Sequence, residues 1–263
     1  GGYYGSGVIF SYDLTDSSYT KLFDFNASDG EFPHGGLLQA SDGKLYGMTT
    51  NGGANDYGVI FSFDINNQLY TKLEDFNGTN GKYPNGDFIQ SSDGLLYAMT
   101  FGGGANDLGT IFTYNTTTSV LTRKLSLNSN NGSHPYGSFL KASNGLFYAT
   151  ALTGGNSNLG TIFSYDTTTN IYLKVKDLDF GTGAHPHGNL LEDHLGNLYG
   201  MTTEGGDNFR GVLFSYHPSN GLYSKLKNFT DTDGSYPYGS LAITADGTML
   251  GMTYTGGKGE CGV

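Results

Sequence analysis

The feature that most constrains this chain is a period. Gly7, Gly58, Gly109, Gly160, Gly211 and Gly262 stand 51 residues apart, and the segments between them align without insertion or deletion. The 263 residues therefore hold five units, beginning at 7, 58, 109, 160 and 211. Pro33, Pro84, Pro135, Pro186 and Pro237 share one column, and 33 of the 43 glycines fall in six columns. A unit of about 50 residues with several strands cannot cover both faces of its own sheet, so the period predicts stacked blades rather than independent domains.

One unit reads GVIFSYD, a short polar link, YTKLFDF, a loop NASDGEFPHG, then GLLQAS, the turn DG, and KLYGMTT before a glycine pair. Four strands are predicted, with GLLQAS innermost (A), KLYGMTT next (B), GVIFSYD third (C) and YTKLFDF at the rim (D). Runs such as VIFSY and LYGMTT are apolar or small throughout, as expected of sheets covered on both faces. Asp42-Gly43, Asp93-Gly94, Asn144-Gly145 and Asp246-Gly247 predict two-residue type I′ hairpins with positive φ at both central residues, and Leu195-Gly196 is the exception. Lys21, Lys72, Arg123, Lys174 and Lys225 occupy one D-strand position, where charge blunts an exposed edge against pairing with other chains.

The chain opens with strands C and D and ends with A and B. The expected fold is therefore all-β: a five-bladed β-propeller of four antiparallel strands per blade, one domain over residues 1–263, its ring closed by strands from both termini. Closure uses five units of 51, which leaves Gly1–Val8 and Gly256–Val263 competing for one slot. One copy is expected to be displaced, either frayed or free to pair with a neighbouring molecule.

Thirteen Lys and Arg against 24 Asp and Glu give a net charge of −11, which repels phosphate backbones and anionic lipid, so no nucleic-acid partner is expected. No run nears the roughly 18 apolar residues of a spanning helix, so no membrane insertion is expected. The start shows no charged segment followed by an apolar one, as a signal peptide would. Cys261 is the only cysteine, which excludes an internal disulfide and leaves an intermolecular bridge as its sharper use. Asn26, Asn77, Asn115, Asn131 and Asn228 head N-x-S/T sequons, a pattern that chance also produces in a chain rich in Asn, Ser and Thr.

Ser41 to Asp64, SDGKLYGMTTNGGANDYGVIFSFD, resembles the GloVer (Gloeo_Verruco) tandem repeat, in which a D-G-x-L-Y-G-T-T segment precedes G-G and G-T-V-F. The likeness covers all five units. Met48, Met99, Met201 and Met252 stand where that family has Thr, and Leu250 replaces the column tyrosine of Tyr46, Tyr97, Tyr148 and Tyr199. The resemblance implies a propeller and a secreted or surface-attached setting, and it transfers no catalytic residue.

Candidate contact residues lie where the D-to-A loop meets strand A, in FPHG, YPNG, HPYG, HPHG and YPYG. The residues before proline are Phe32, Tyr83, His134, His185 and Tyr236; those after it are His34, Asn85, Tyr136, His187 and Tyr238. Proline fixes its own φ and biases its predecessor toward extended geometry, so both flanking side chains are expected to be presented reproducibly at five mouths on one face. Rings with polar tips suit sugar or peptide recognition, and they equally suit a packing belt between blades.

The B-to-C loops carry Asp56, Asp107 and Asn158 in a column that Phe209 and Glu260 interrupt, a pattern more typical of Asx turns than of calcium loops. His134, His185 and His187 match no zinc signature, and no metal or other cofactor is expected. No catalytic residue is assigned. The expected function is multivalent, non-enzymatic recognition of glycans or another extracellular or cell-surface polymer, five weak sites gaining avidity. The alternatives are self-association as a structural module of a surface array, joined by a terminal strand or Cys261, and a hydrolase with one symmetry-broken site near His185 and His187.

Overall fold

The computed structural model describes residues 1–259 and 261–263; Glu260, the second interruption of the acidic column, lies outside the described residues. The chain divides into two compact units, Gly1–Ser126 and Leu127–Val263. The first unit holds β1 (Val8–Tyr12), β2 (Tyr19–Asp24), β3 (Leu38–Gln39), β4 (Leu45–Thr49), β5 (Val59–Asp64), β6 (Leu69–Asp75), β7 (Ile89–Gln90), β8 (Leu96–Thr100), β9 (Thr110–Asn115) and β10 (Val120–Ser126). The second holds β11 (Leu140–Lys141), β12 (Phe147–Ala151), β13 (Thr161–Asp166), β14 (Ile171–Asp177), β15 (Leu191–Glu192), β16 (Leu198–Thr202), β17 (Val212–His217), β18 (Leu222–Asn228), β19 (Ala242–Ile243) and β20 (Met249–Leu250). The described residues form no helix.

Four sheets are complete antiparallel meanders in sequence order: β3 to β6, β7 to β10, β11 to β14 and β15 to β18. Each runs A-B-C-D as the sequence predicts, giving repeated four-stranded antiparallel sheets. The core lies between successive sheets of a unit. Tyr46, Met48 and Ile60 of one sheet pack with Leu96, Ala98, Phe112 and Tyr114 of the next, and Tyr148 and Ile162 pack with Leu198, Val212, Phe214 and Tyr216. Strands B and C are buried along nearly their whole length, which explains why their sequences do not alternate.

Two turn expectations need correction. At Asp42-Gly43 only Gly43 has positive φ, 84°. Gly43 N donates to Ala40 O at 2.9 Å and Ala40 N to Lys44 O at 3.0 Å. This is a three-residue hairpin, a type I turn followed by a left-handed glycine, instead of a type I′ pair. The residue before the glycine keeps negative φ, so Leu195 is no exception: Gly196 takes φ 81° in the same turn. Asp93-Gly94, Asn144-Gly145 and Asp246-Gly247 likewise carry positive φ on the glycine alone. The carboxylate that Leu195 cannot supply comes from Asp193, which accepts from the amides of Leu195 and Asn197 and from the Tyr199 hydroxyl.

Strand D is the sheet edge in all four complete blades, and each D strand is bulged. In β6, Phe61 pairs with Lys72 and Ile60 with Glu74, which leaves Leu73 as the extra residue. The cation column does more than guard this edge. Lys72 Nζ donates to the Ser28 carbonyl at 3.1 Å, Lys174 to Asn130 O at 3.0 Å and Lys225 to Gly181 O at 3.2 Å. Arg123 reaches Thr79 O in the same way. These four cations thus staple their rim strands to the D-to-A loops of the preceding repeats, helped by Tyr70, Tyr172 and Tyr223, whose hydroxyls donate to the same loops, while Lys21 of the first repeat pairs with Asp24.

Closure of the ring is not seen. β1 and β2 form one two-stranded sheet, β19 and β20 another, and among the described residues no sheet draws strands from both ends of the chain. The described residues of both surplus segments are folded, each set as its own B-to-C loop. Gly7 N donates to Gly1 O at 3.0 Å, and Gly262 N to Gly256 O at 3.0 Å. Thr253 N donates to Val263 O at 2.7 Å, so the C-terminal copy holds the place beside strand B. The half-sheets leave apolar surface uncovered: Phe10 is 56% exposed where its equivalent Phe61 is 1%, and Met252 is 72% exposed where Met48 is 3%. A cavity of about 410 Å³ lined by Ile9, Phe10, Phe25, Leu37 and Phe61 opens beside β1. One of about 140 Å³ lined by Met201, Leu213, Leu241, Met249 and Met252 opens beside β20.

The glycine that sets the period faces the column proline. A methyl group on Gly7 would come within 2.7 Å of Pro33 Cδ, on Gly58 within 3.1 Å of Pro84 Cδ, and on Gly160 within 2.7 Å of both Pro186 Cδ and Ala151 O. Gly160 also holds φ 105°. Gly160→Ala is expected to destabilise the protein by about 2 kcal/mol or more. Gly145→Ala, strained in φ with nothing within 4 Å, is expected to cost about 1 kcal/mol. Urea unfolding of the two variants checks the difference, and equal losses would refute the packing role.

Candidate functional site

The residues before proline are not extended. Phe32, Tyr83, His134, His185 and Tyr236 all occupy the left-handed region, φ 54° to 58°. This corrects the expectation from the proline rule, and backbone bonding explains it. The Tyr83 amide donates to Tyr57 O at 2.9 Å while Tyr83 O accepts from Phe101 N at 3.1 Å. The pairs Ser6 O and Thr50 N, Leu159 O and Thr203 N, and Arg210 O and Tyr254 N clamp Phe32, His185 and Tyr236 in the same way. Two backbone bonds per residue hold a conformation that costs about 1–3 kcal/mol on its own.

That conformation turns these side chains toward the B-to-C loops and the ends of strand B. The Tyr83 ring meets Tyr57 edge-on at 5.7 Å, His134 Nδ1 lies 2.8 Å from Thr153 Oγ1, and His185 Nδ1 lies 3.3 Å from Glu204 Oε2. Tyr236 lies under the Arg210 guanidinium, whose carbon is 5.2 Å from the ring centroid. Phe32 is exposed. The pre-proline ring set is therefore mostly committed to holding loops together.

The residues after proline meet one another instead. In the first unit His34 Nδ1 lies 3.3 Å from both Asn85 Oδ1 and Thr50 Oγ1, and the Thr50 hydroxyl lies 3.1 Å from Asn85 Oδ1 and from the Pro84 carbonyl. In the second unit the Tyr136 and His187 rings meet edge to face at 5.1 Å, His187 and Tyr238 at 4.8 Å, and Tyr238 and Tyr254 at 5.4 Å. The close approach of neighbouring inner segments makes these contacts. A Cβ on Gly35 would lie 2.6 Å from Gly86 O, and Ser138 N donates to Asn189 Oδ1 at 2.6 Å. Tyr136 and Tyr238 are exposed and His187 is half-buried between them. The first unit thus presents a polar cluster and the second an aromatic ladder.

The loop carboxylates and amides are engaged by their own backbone. Asp56, Asp107 and Asn158 adopt left-handed φ near 58°, and each accepts from a glycine amide four residues earlier, at 2.9 to 3.0 Å. Asn26, Asn77 and Asn128 accept amides from within their own D-to-A loops. Among the described residues no group of three or more His, Cys, Asp or Glu is placed to hold a metal ion. Sequence reasoning missed Arg210. It breaks the column of Ser6, Tyr57, Leu108 and Leu159, and pairs with Asp231 at 2.6 Å; that column break was the available signal.

Burial holds the His187 imidazole below its ordinary value of 6.5, with His185 adding to the effect and Glu204 opposing it. The unfolded chain then takes up more protons than the folded one as pH falls through about 6.5, so the contribution of this group is present above that pH and lost on acidification. The urea midpoint of the wild type is expected to fall more between pH 7.5 and 5.5 than that of His187→Tyr, which keeps a ring in the ladder. Identical pH dependence in both would refute the assignment.

A family model described as the Gloeobacter/Verrucomicrobia repeat matches residues 1–182 and, overlapping, 89–263. No curated protein matches the chain. Solved structures with a similar fold include two of the extracellular domain of BT4673 from B. thetaiotaomicron, at 14% and 15% identity and a TM-score of 0.64, covering 95% of this chain and 31% of that one. TolB from Acinetobacter baumannii aligns at 13% identity and a TM-score of 0.54, covering 94% of this chain and 54% of its own. The chain thus spans about a third of the first protein and about half of the second, and the likeness is one of fold.

Proposed function

The chain belongs to the Gloeobacter/Verrucomicrobia repeat family, and on that premise we propose that it is an extracellular, non-enzymatic recognition module that binds a glycan or another surface polymer through the residues after the column prolines. The observation that carries this reading is the ladder Tyr136, His187 and Tyr238, in which rings from three successive repeats touch, extended by Tyr254 of the last repeat against Tyr238. A row of ring edges and hydroxyls at repeat spacing suits a ligand that itself repeats, because each sugar ring meets an apolar body with a polar tip. The extracellular setting is supported by the fold likeness to an extracellular domain. Tyr136→Ala and Tyr238→Ala are each expected to weaken binding about threefold to tenfold, the worth of one aromatic contact, in affinity electrophoresis across a panel of neutral and acidic polysaccharides. Failure of the wild type to be retarded by any gel of the panel would end the recognition reading.

The module is a five-bladed ring of one domain over 1–263, completed when β20 pairs with β1. Support comes from register. Strand B pairs with C as Thr49 with Val59 and Met48 with Ile60, and as Thr202 with Val212 and Met201 with Leu213. The 51-residue period puts Thr253 opposite Val8 and Met252 opposite Ile9 in the closing blade. Such pairing covers the surfaces left open at Phe10 and Met252, and it requires Val263 to leave Thr253. In a Cys261→Ser background, Ile9→Cys with Met252→Cys is expected to form a disulfide within the monomer on mild oxidation. Crosslinks only between molecules, or none, would refute the closed ring.

A further inference from the structure

The outer cup of the last repeat differs from its counterparts. It is a cavity of about 370 Å³ lined by Arg210, Asp231, Tyr236, Thr255 and Gly256. Three repeats earlier the same positions are Tyr57, Gly78, Tyr83, Gly102 and Gly103, and there Lys82 occupies the space. Its side chain runs so close that a methyl group on Gly102 would come within 2.7 Å of Lys82 Cε. Its ammonium sits 2.8 Å from Asp107 and 5.5 to 5.6 Å from the Tyr57 and Tyr83 ring centroids. In the last repeat Ser235 stands where Lys82 does, its hydroxyl donating to Asp231 Oδ1 at 3.0 Å, and no side chain among the described residues fills the cup.

The groups left lining it are arranged as donors and acceptors. Arg210 Nε–H faces Asp231 Oδ1 at 2.6 Å and Nη2 donates to Oδ2 at 3.2 Å. Nη1 donates to the Tyr236 hydroxyl. A guanidinium has five N–H groups, so one on each Nη remains without a partner among the described residues. The Thr255 hydroxyl likewise has no partner among the described residues, whereas the equivalent Thr153 hydroxyl is held by Ser133 and His134. The Asp231 carboxylate neutralises the guanidinium, so the described lining carries no net charge and does not select for anions. Fixed donors on Arg210, acceptor lone pairs on Asp231, a rotatable hydroxyl on Thr255 and the Tyr236 ring as an apolar wall match adjacent hydroxyls on a saturated ring.

We propose that this cup binds one residue of a neutral sugar through a vicinal pair of hydroxyls, one accepting from Arg210 and donating to Asp231, the other meeting Thr255. The proposal takes its ligand class from the recognition reading, but the site is separate from the ladder. Saturation-transfer NMR with methyl mannoside and methyl galactoside as probes, and tetrahydropyran-2-methanol as the ring without vicinal hydroxyls, tests it. At least one glycoside is expected to bind saturably and the tetrahydropyran not at all. Arg210→Ala is expected to weaken the glycoside at least tenfold and Thr255→Val severalfold, while Tyr238→Ala leaves it unchanged.

Absence of saturable binding by both glycosides, equal binding of the tetrahydropyran, or wild-type affinity in Arg210→Ala would overturn the proposal. Loss in Tyr238→Ala with Arg210→Ala unaffected would place monosaccharide binding on the ladder and equally overturn the cup. Retained cup binding with no polysaccharide retardation would sink the ladder alone. Arg210 and Thr255 lie at the surface and outside the sheet core, and an unchanged far-ultraviolet spectrum checks that both variants fold.

Discussion

The contact between the column proline and the period-setting glycine is the constraint on which the rest depends. Pro33 against Gly7, Pro84 against Gly58, Pro186 against Gly160 and Pro237 against Gly211 lock the loop entering one sheet onto the B-to-C loop of the sheet before it. A flat ring with no amide proton can lie against bare backbone there, and any Cβ would part the two. The neighbouring left-handed residue follows from the same contact. With proline pinned, its predecessor bonds on both sides at once, and only the left-handed region meets both partners. From that fixed corner the next side chain projects toward its equivalent in the adjacent repeat, which is how residues 51 apart come to touch.

The second organising effect is that polar groups are spent locally. An acidic chain rich in Asn, Asp, Ser and Thr has many side chains able to bind ions, yet the loops direct them at their own amides, as Asp56 does at Gly52 and Asn26 at Ser28. Backbone groups in tight loops lack ladder partners and must be satisfied by what lies nearby. Recognition is thereby left to rings and to the few positions where a column is broken, as at His187 and Arg210.

Strand number, order and the double burial of B and C were legible because period and apolar runs are local patterns with one physical meaning. The turn type was not: Asp-Gly serves two hairpin classes, and Leu195 beside Gly196 already favoured the one in which only glycine needs positive φ. The pre-proline geometry was misread because the proline rule is a local preference, overridden by hydrogen bonds to residues 18 and 26 positions away. The lysine column was half understood. Its charge was visible, but the carbonyl each cation reaches belongs to the previous repeat, 44 residues back. The ladder could be placed on one face from sequence, while which of the two ring sets formed it depended on backbone handedness.

The folded state of the described residues at the C-terminal end, 256–259 and 261–263, bears on how such a chain finds its structure. A sixth copy of the opening motif sits against Thr253 as readily as the regular copies sit against Thr49 or Thr202. Parts this interchangeable give the chain near-degenerate partners one repeat apart, so nothing in a single blade tells a strand which copy to choose. Fidelity must then come from the order of synthesis, each blade being claimed by the strand nearest to it in the chain before a more distant equivalent has emerged.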